Sequence, residues 1–290
     1  MTQGKTEKYE RVNFIDKFGI IPYSVWDIKN SIKFNNKIYK EVGEIKGKST
    51  RENTAKYFGG AGEKTAFKST TSYFNPYLAK IIYNSYSQEN DFIFDPFASI
   101  IRPYMAFITG RNYLGCEIRT EEVIKINNVI KTKKNFEYIF KTEGNEIKVI
   151  EKDCRDFKNS GKFELIFTCP PYWCHEKYSD LPNDMSNIDT YENFLSEMEI
   201  VSRNCYEHLK SGKYCVLVTS DFRDYSEGRK NIERLIPFTS DMINVFESCG
   251  FYLYDKIVVI KPLGTAPSRT KLWNNRKTVR IHEDVLVFKK

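Results

Sequence analysis

Residues 168–173 read Thr-Cys-Pro-Pro-Tyr-Trp and close the apolar run 163–170, which has the length and composition of a buried strand. Proline fixes φ and has no N–H, so two in succession make a rigid turn at the strand's carboxyl end. The carbonyls of Cys169 and Pro170 become fixed acceptors, and Tyr172 offers a flat face beside them. That set suits one task, gripping a planar heterocycle that carries an exocyclic amine. The amine donates to the acceptors, its lone pair is freed from the ring, and Tyr172 stacks on the base. No strong base is required if the electrophile is as reactive as a sulfonium methyl.

A second constellation lies upstream. The apolar run 91–95 ends in Asp95, followed by Pro96, Phe97, Ala98 and Ser99. Ser99 is a candidate helix cap, and Pro103 fits a first helical turn. The next run, 112–118, ends in Glu117 and Ile118, where an acid can accept both hydroxyls of a ribose. A solvent-facing Glu at a strand end is the bland alternative. A third run, 146–153, ends in Asp153, followed by Cys154, and a turn-capping Asp would look the same.

These segments resemble the S-adenosylmethionine-dependent DNA amino-methyltransferases. That family's catalytic motif is (D/N/S)-P-P-(Y/F/W), and its cofactor motif is D-P-F-x-G-x-G. The likeness runs over roughly residues 18–290. It implies a catalytic turn of Cys169, Pro170, Pro171 and Tyr172. It also implies a cofactor site for S-adenosylmethionine built from Phe74, Asn75, Asp95, Pro96, Phe97, Ala98, Ser99, Glu117, Ile118, Asp153 and Cys154. Asp153 matches the acid that meets the cofactor adenine or the target amine. Two departures stand out. Ser-Ile-Ile-Arg-Pro, residues 99–103, occupies the place of the glycine-rich turn, and Cys169 stands where Asp, Asn or Ser is usual.

A thiol is a poor acceptor, which shifts the work onto the carbonyls. The alternative of Cys169 as the nucleophile of a carbon-5 cytosine enzyme is disfavoured, because that cysteine follows a proline and this one precedes a Pro-Pro pair. Downstream, the stretch 261–282 carries Arg269, Lys271, Trp273, Arg276, Lys277 and Arg280, a basic set interleaved with an aromatic that suits a phosphate backbone. Beside a turn for nucleobases, DNA contact is the better reading than a solvated loop. The implied reaction is methyl transfer to the 4-amino group of cytosine or the 6-amino group of adenine. An RNA base, a protein glutamine, or a non-catalytic nucleic-acid-binding relative remain as alternatives.

The elements that must position these residues alternate. Strands at 91–95, 112–118, 146–153, 163–170 and 214–221 are separated by helical patterns at 102–110, 120–134 and 190–210, the last stopped by Ser-Gly-Lys. A further helix at 236–250 precedes strands at 251–261 and 283–290. The expectation is an α/β fold, a doubly wound, mostly parallel Rossmann-like methyltransferase sheet with an antiparallel terminal hairpin. Residues 1–70 read as an N-terminal extension covering the cofactor or touching DNA. Residues 71–290 read as the methyltransferase domain, with DNA-contacting loops near 174–190 and 261–282.

Composition sets the outer limits. The chain has 290 residues with 41% apolar and 29% charged, ordinary for a globular protein with its own core. Forty-five Lys and Arg against 38 Asp and Glu give a net +7, compatible with a polyanion. No run approaches the ~18 apolar residues of a membrane span. Seven cysteines and three histidines show no disulfide or zinc spacing, so the expectation is a cytoplasmic protein without a metal. DNA is the expected partner, with a restriction endonuclease or another defence or phage protein as a possible companion.

Overall fold

The computed structural model describes residues 20, 23–43, 73–134, 144–173, 178–224, 234–261, 276, 278 and 280–290. Among them the strands are β1 (Val25–Asp27), β2 (Phe92–Asp95), β3 (Asn112–Glu117), β4 (Ile147–Glu151), β5 (Phe163–Thr168), β6 (Leu209–Thr219), β7 (Phe222–Arg223), β8 (Leu235–Ile236), β9 (Tyr252–Ile260) and β10 (His282–Lys289). The helices are α1 (Ile32–Glu41), α2 (Pro76–Tyr86), α3 (Ile101–Ile108), α4 (Thr120–Lys134), α5 (Tyr191–His208) and α6 (Phe238–Ser248).

Eight strands form one sheet in the order β1-β9-β10-β6-β5-β2-β3-β4, and β7 pairs with β8 separately. The pairs from β6 across to β4 are all parallel, while β10 is antiparallel to both β6 and β9. The chain winds outward from β2 through β3 to β4, then returns to place β5 on β2's other side. The order therefore reverses between β2 and β5, and in open α/β sheets ligands bind at the carboxyl ends there.

Both faces of the sheet are covered, which is why its strands read as near-continuous apolar runs. Leu165 and Phe167 of β5, with Val216 and Val218 of β6, face a core built with Leu78, Ile81 and Ile82 of α2 and Met105 of α3. Ile166, Cys215 and Leu217 point the other way, onto Phe194 and Met198 of α5 and Phe238 and Phe246 of α6. Each fully buried side chain of this size contributes roughly 1.5–3 kcal/mol.

The local signals act as their chemistry requires. Asn75 caps α2 by accepting from Leu78 N–H at 3.1 Å, with Pro76 at the first helical position. Thr190 caps α5 through the Asn193 N–H at 3.2 Å. Gly110 ends α3 in a left-handed conformation, φ +75°.

Three expectations change. The pair β9 and β10 is antiparallel, but it is not the sheet's edge. β10 inserts between β6 and β9, and β1 pairs parallel to β9 outside them. β1 and α1 come from the segment 1–70, and α1 packs on α2, so part of that segment is built into the same sheet and core. Ser-Gly-Lys does not stop α5: β6 begins at Leu209, directly after the helix, and Gly212 at φ +73° lies inside it. The pairing with β5 shifts register across that stretch, from Phe163 opposite Leu209 to Leu165 opposite Tyr214.

Candidate active site

The carboxyl tips of β2, β3, β4 and β5 lie side by side, and backbone bonds tie them together. Ala98 N–H donates to Cys116 O at 2.8 Å, and Lys152 N–H to Glu117 O at 3.0 Å. Ala98 is buried against Gly115, where an added Cβ would stand 2.6 Å from the Ala98 Cβ. The turn after β2 thus presses on β3 so closely that position 115 has room for glycine alone.

Asp95 is fully buried and is the hub of the site. Its Oδ1 accepts from Thr168 Oγ1 at 2.7 Å and from Phe97 N–H at 3.0 Å. Its Oδ2 accepts from Arg102 Nε and Tyr113 OH, each at 2.6 Å. A carboxylate has about four acceptor positions. Those of Asp95 are all used within the protein, so its side chain fixes the turn and has no capacity left for a ligand. Arg102 is buried beside it, and its guanidinium also donates to Phe97 O and lies 5.1 Å from the Phe74 ring centroid. Burial works to lower the Arg102 pKa, but the adjoining Asp95 carboxylate raises it further, so the guanidinium stays charged.

Ser99 does not cap α3. The cap position is Ile100, with no side-chain bond, because the helix starts one residue later than the Ser would need. Ile100 and Ile101 are buried where the glycine-rich turn was expected, so the turn is closed by apolar side chains. Pro96 is buried, and Phe97 and Ser99 are half-buried.

Glu117 and Asp153 occupy neighbouring tips, and each is held by the arginine two residues on. Arg119 donates to Glu117 through its backbone N–H at 2.9 Å, Nε at 3.1 Å and Nη2 at 2.9 Å. Arg155 grips Asp153 in the same way, with its backbone N–H at 2.9 Å and Nη2 at 2.5 Å. Arg155 also reaches Glu197 Oε2 at 2.7 Å and Asn183 O at 2.9 Å. Burial pushes the Asp153 carboxyl up, but its bonds to Arg155 outweigh that and hold it below the usual carboxylate range. A groove of about 350 Å³ lies beside this pair, between Pro182, Asn187 and Glu197. Ile118 is half-buried next to Glu117. Cys154 is buried in the α5 core, where burial drives its thiol well above the usual range, so its side chain faces away from the tips.

On the turn after β5, Pro170 and Pro171 are buried, while Cys169 and Tyr172 are partly exposed. Cys169 Sγ and Tyr172 OH approach to 4.0 Å, so both face one space. The Tyr172 ring is backed by Phe222, stacked at 6.1 Å, and Phe238 at 5.1 Å. Burial pushes its hydroxyl well above the usual tyrosine value, which keeps it a neutral donor. Trp173 takes φ +41° and donates from Nε1 to Ile188 O at 2.8 Å, so the chain turns sharply and is pinned just after the motif.

Phe74 joins this assembly, packing edge-on against Phe167 at 5.6 Å, whereas the Asn75 side chain serves as the α2 cap. Of the basic set, Arg269, Lys271, Trp273 and Lys277 lie outside the described residues. Arg276 is exposed at φ +55°. Arg280 is turned inward, with Nη1 donating to Ser220 Oγ at 2.5 Å and Nη2 3.8 Å from Asp221, so its charge is spent on the end of β6. Sequence reasoning missed Arg102, Tyr113, Thr168, Arg119 and Arg155, and that Lys261, at the base of the basic stretch, pairs with Glu283. The two i, i+2 acid-arginine spacings were a readable signal. Tyr113 and Thr168 reach Asp95 from other strands and carried none.

Residues 163–290 match a family model described as DNA methylase, beginning at the first residue of β5 and taking in the Pro-Pro-Tyr turn. No curated relative matches the chain in sequence. Among solved structures, a methyltransferase from Pyrococcus furiosus is 12% identical, with 83% of this chain and 98% of that one covered and a TM-score of 0.49. A SAM-dependent methyltransferase from Methanosarcina mazei is 15% identical over 72% of this chain and 96% of that one, TM-score 0.46. TrmN from Thermus thermophilus is 13% identical over 75% of this chain, TM-score 0.46, and this chain spans about half, 49%, of its length. Among the described residues, no helix is long and apolar enough to cross a membrane.

Proposed function

We propose that this chain is a DNA methyltransferase that moves a methyl group from S-adenosylmethionine to an exocyclic amine of a base flipped out of the duplex. The observation that carries this reading is the Pro-Pro-Tyr turn at the tip of β5, tied through Thr168 to the Asp95 turn at the switch point of the sheet. The family match over 163–290 supports it, since it covers that turn.

The donor set fits the nucleoside end of the cofactor. Glu117 offers a carboxylate to the ribose, whereas the four acceptor positions of Asp153, on the next tip, are filled by Arg155. At the methionine end Asp95, both backbone groups of Phe97 and the Ala98 N–H are already bonded within the protein, so the fit rests on Phe74 and the Ser99 end of the turn. When bound, the cofactor supplies a methyl carried on a sulfonium.

The chain's own part is alignment. The Cys169 and Pro170 carbonyls accept the amine hydrogens, which frees the nitrogen lone pair, and Tyr172, backed by Phe222 and Phe238, stacks on the base. Flipping costs a few kcal/mol of unstacking, and stacking on an aromatic returns about 1–3 kcal/mol. The target is the cytosine 4-amino or the adenine 6-amino group, and Cys169 leaves the choice to pocket shape.

The test is transfer of labelled methyl to duplex DNA of mixed sequence, followed by digestion and mass analysis of the nucleosides. An N-methylated cytosine or adenine is expected. A protein that binds no S-adenosylmethionine by calorimetry, with or without DNA, overturns the reading. It would favour a binding-only role, for which the buried Ile100 and Ile101 are the supporting observation.

A further inference from the structure

We propose that Arg119 is an internal competitor for the ribose-binding carboxylate of Glu117, and that it sets both the affinity of the site and its requirement for a cis-diol. This rests on the methyltransferase reading above, in which Glu117 receives the ribose.

Counting acceptor positions leads to it. A carboxylate offers about four. Arg119 fills three, with its backbone N–H and Nε both on Oε1 and Nη2 on Oε2. A ribose diol brings two donors, one for each oxygen, and a single position remains. The backbone bond is fixed by the chain, so the diol binds only when the Arg119 side chain gives up at least one of its two bonds. Those are charge-assisted, the strong class of hydrogen bond.

The neighbouring pair shows why Arg119 is the movable one. Arg155, in the same i, i+2 relation to Asp153, is also anchored to Glu197 and to Asn183 O, so three groups hold it in place. Among the described residues the Arg119 side chain is hydrogen-bonded to Glu117 alone. Its guanidinium carbon also lies 6.0 Å from the ring centroid of Tyr178, a face on which a released cation can rest. Tyr178 belongs to the segment after the catalytic turn and is itself held at its N–H by Ser186 Oγ, 3.2 Å. Release of Arg119 by a diol thus presses the cation toward the wall of the substrate side. A ligand with one hydroxyl cannot exchange bond for bond and leaves the arginine where it is.

The experiment is calorimetric titration of the full chain and of Arg119→Ala with S-adenosylhomocysteine, adenosine and 2′-deoxyadenosine. Arg119→Met is run beside them, since it keeps the aliphatic stem if the alanine variant does not fold. Removing the competitor is expected to tighten both cis-diol ligands about tenfold and to leave 2′-deoxyadenosine unchanged. Equal or weaker binding of the diols by the variants overturns the proposal alone and makes Arg119 a residue that positions Glu117. Equal tightening of all three ligands also overturns it, since the gain would then have nothing to do with the diol. If neither the wild type nor the variants bind any of the three, the methyltransferase reading falls together with it.

Discussion

Thr168 Oγ1 donates to Asp95 Oδ1 at 2.7 Å, joining two residues 73 positions apart in the chain. Thr168 is the last residue of β5, directly before the Pro-Pro turn, and Asp95 is the last residue of β2. One buried bond therefore sets the distance between the Pro-Pro-Tyr turn and the Asp95 turn. Arg102 and Tyr113 complete the same carboxylate, so both turns are referred to a single charged, desolvated point. Such a point has one arrangement that satisfies every group in it, and that makes it a positioning device.

Asp95→Ala should leave Arg102 as an uncompensated buried charge and destabilise the protein by about 3–5 kcal/mol. Thr168→Val should cost about 1–3 kcal/mol, the loss of one buried hydrogen bond. Urea denaturation measures both. Unchanged midpoints for both variants would mean that the cluster does not hold the turns.

Gly115→Ala puts a Cβ 2.6 Å from the Ala98 Cβ and 2.8 Å from Tyr113 Cε1. Overpacking of this kind costs typically about 1–3 kcal/mol. The double variant Gly115→Ala with Ala98→Gly moves the methyl across the contact and should recover part of the loss. Additive effects in the denaturation series would show that the two positions do not meet.

On the methyltransferase reading, Tyr172→Ala should slow methyl transfer about 5- to 150-fold, the equivalent of ~1–3 kcal/mol of base stacking, while leaving the dissociation constant for S-adenosylmethionine within about twofold. Tyr172→Phe keeps the ring and its packing on Phe238 and should retain most turnover. Intact transfer in the alanine variant would place the base elsewhere.

Cys169→Ser should retain or raise the transfer rate, since a hydroxyl accepts a hydrogen bond better than a thiol. Complete loss of activity, with normal folding by circular dichroism, would instead make Cys169 a nucleophile.

Asp153 contributes to the pH dependence of stability. Its folded pKa lies below the ordinary 3.8, because the Arg155 bonds outweigh the effect of burial. A carboxyl lowered on folding contributes stability above its unfolded pKa and loses it as pH falls through the folded value. Asp153→Asn should therefore be less stable than the wild type at neutral pH, with the gap narrowing below the ordinary aspartate value. Parallel stability curves into acid would show that the pair adds nothing.

The sequence by itself determined the alternation of strands and helices, the Gly110 end of α3, and the three acids at successive strand tips. These follow from local chemistry: apolar runs of strand length, Gly110 as a stop, and acids placed where runs end. What β10 pairs with, and that β1 closes the sheet beyond β9, only the tertiary structure decided. Strand order depends on which apolar faces meet, and an 8-residue run carries no mark of its neighbours. The same holds within the site. Asp95 looked like a ligand contact, and only the convergence of Thr168, Arg102 and Tyr113 from separate segments shows that its acceptor positions are already filled. Arg280 looked like a phosphate contact until Ser220 and Asp221 were found beside it. Residue type tells what a side chain can bond, but what it does bond is settled by which other chains of atoms arrive within 3 Å, and that is a property of packing.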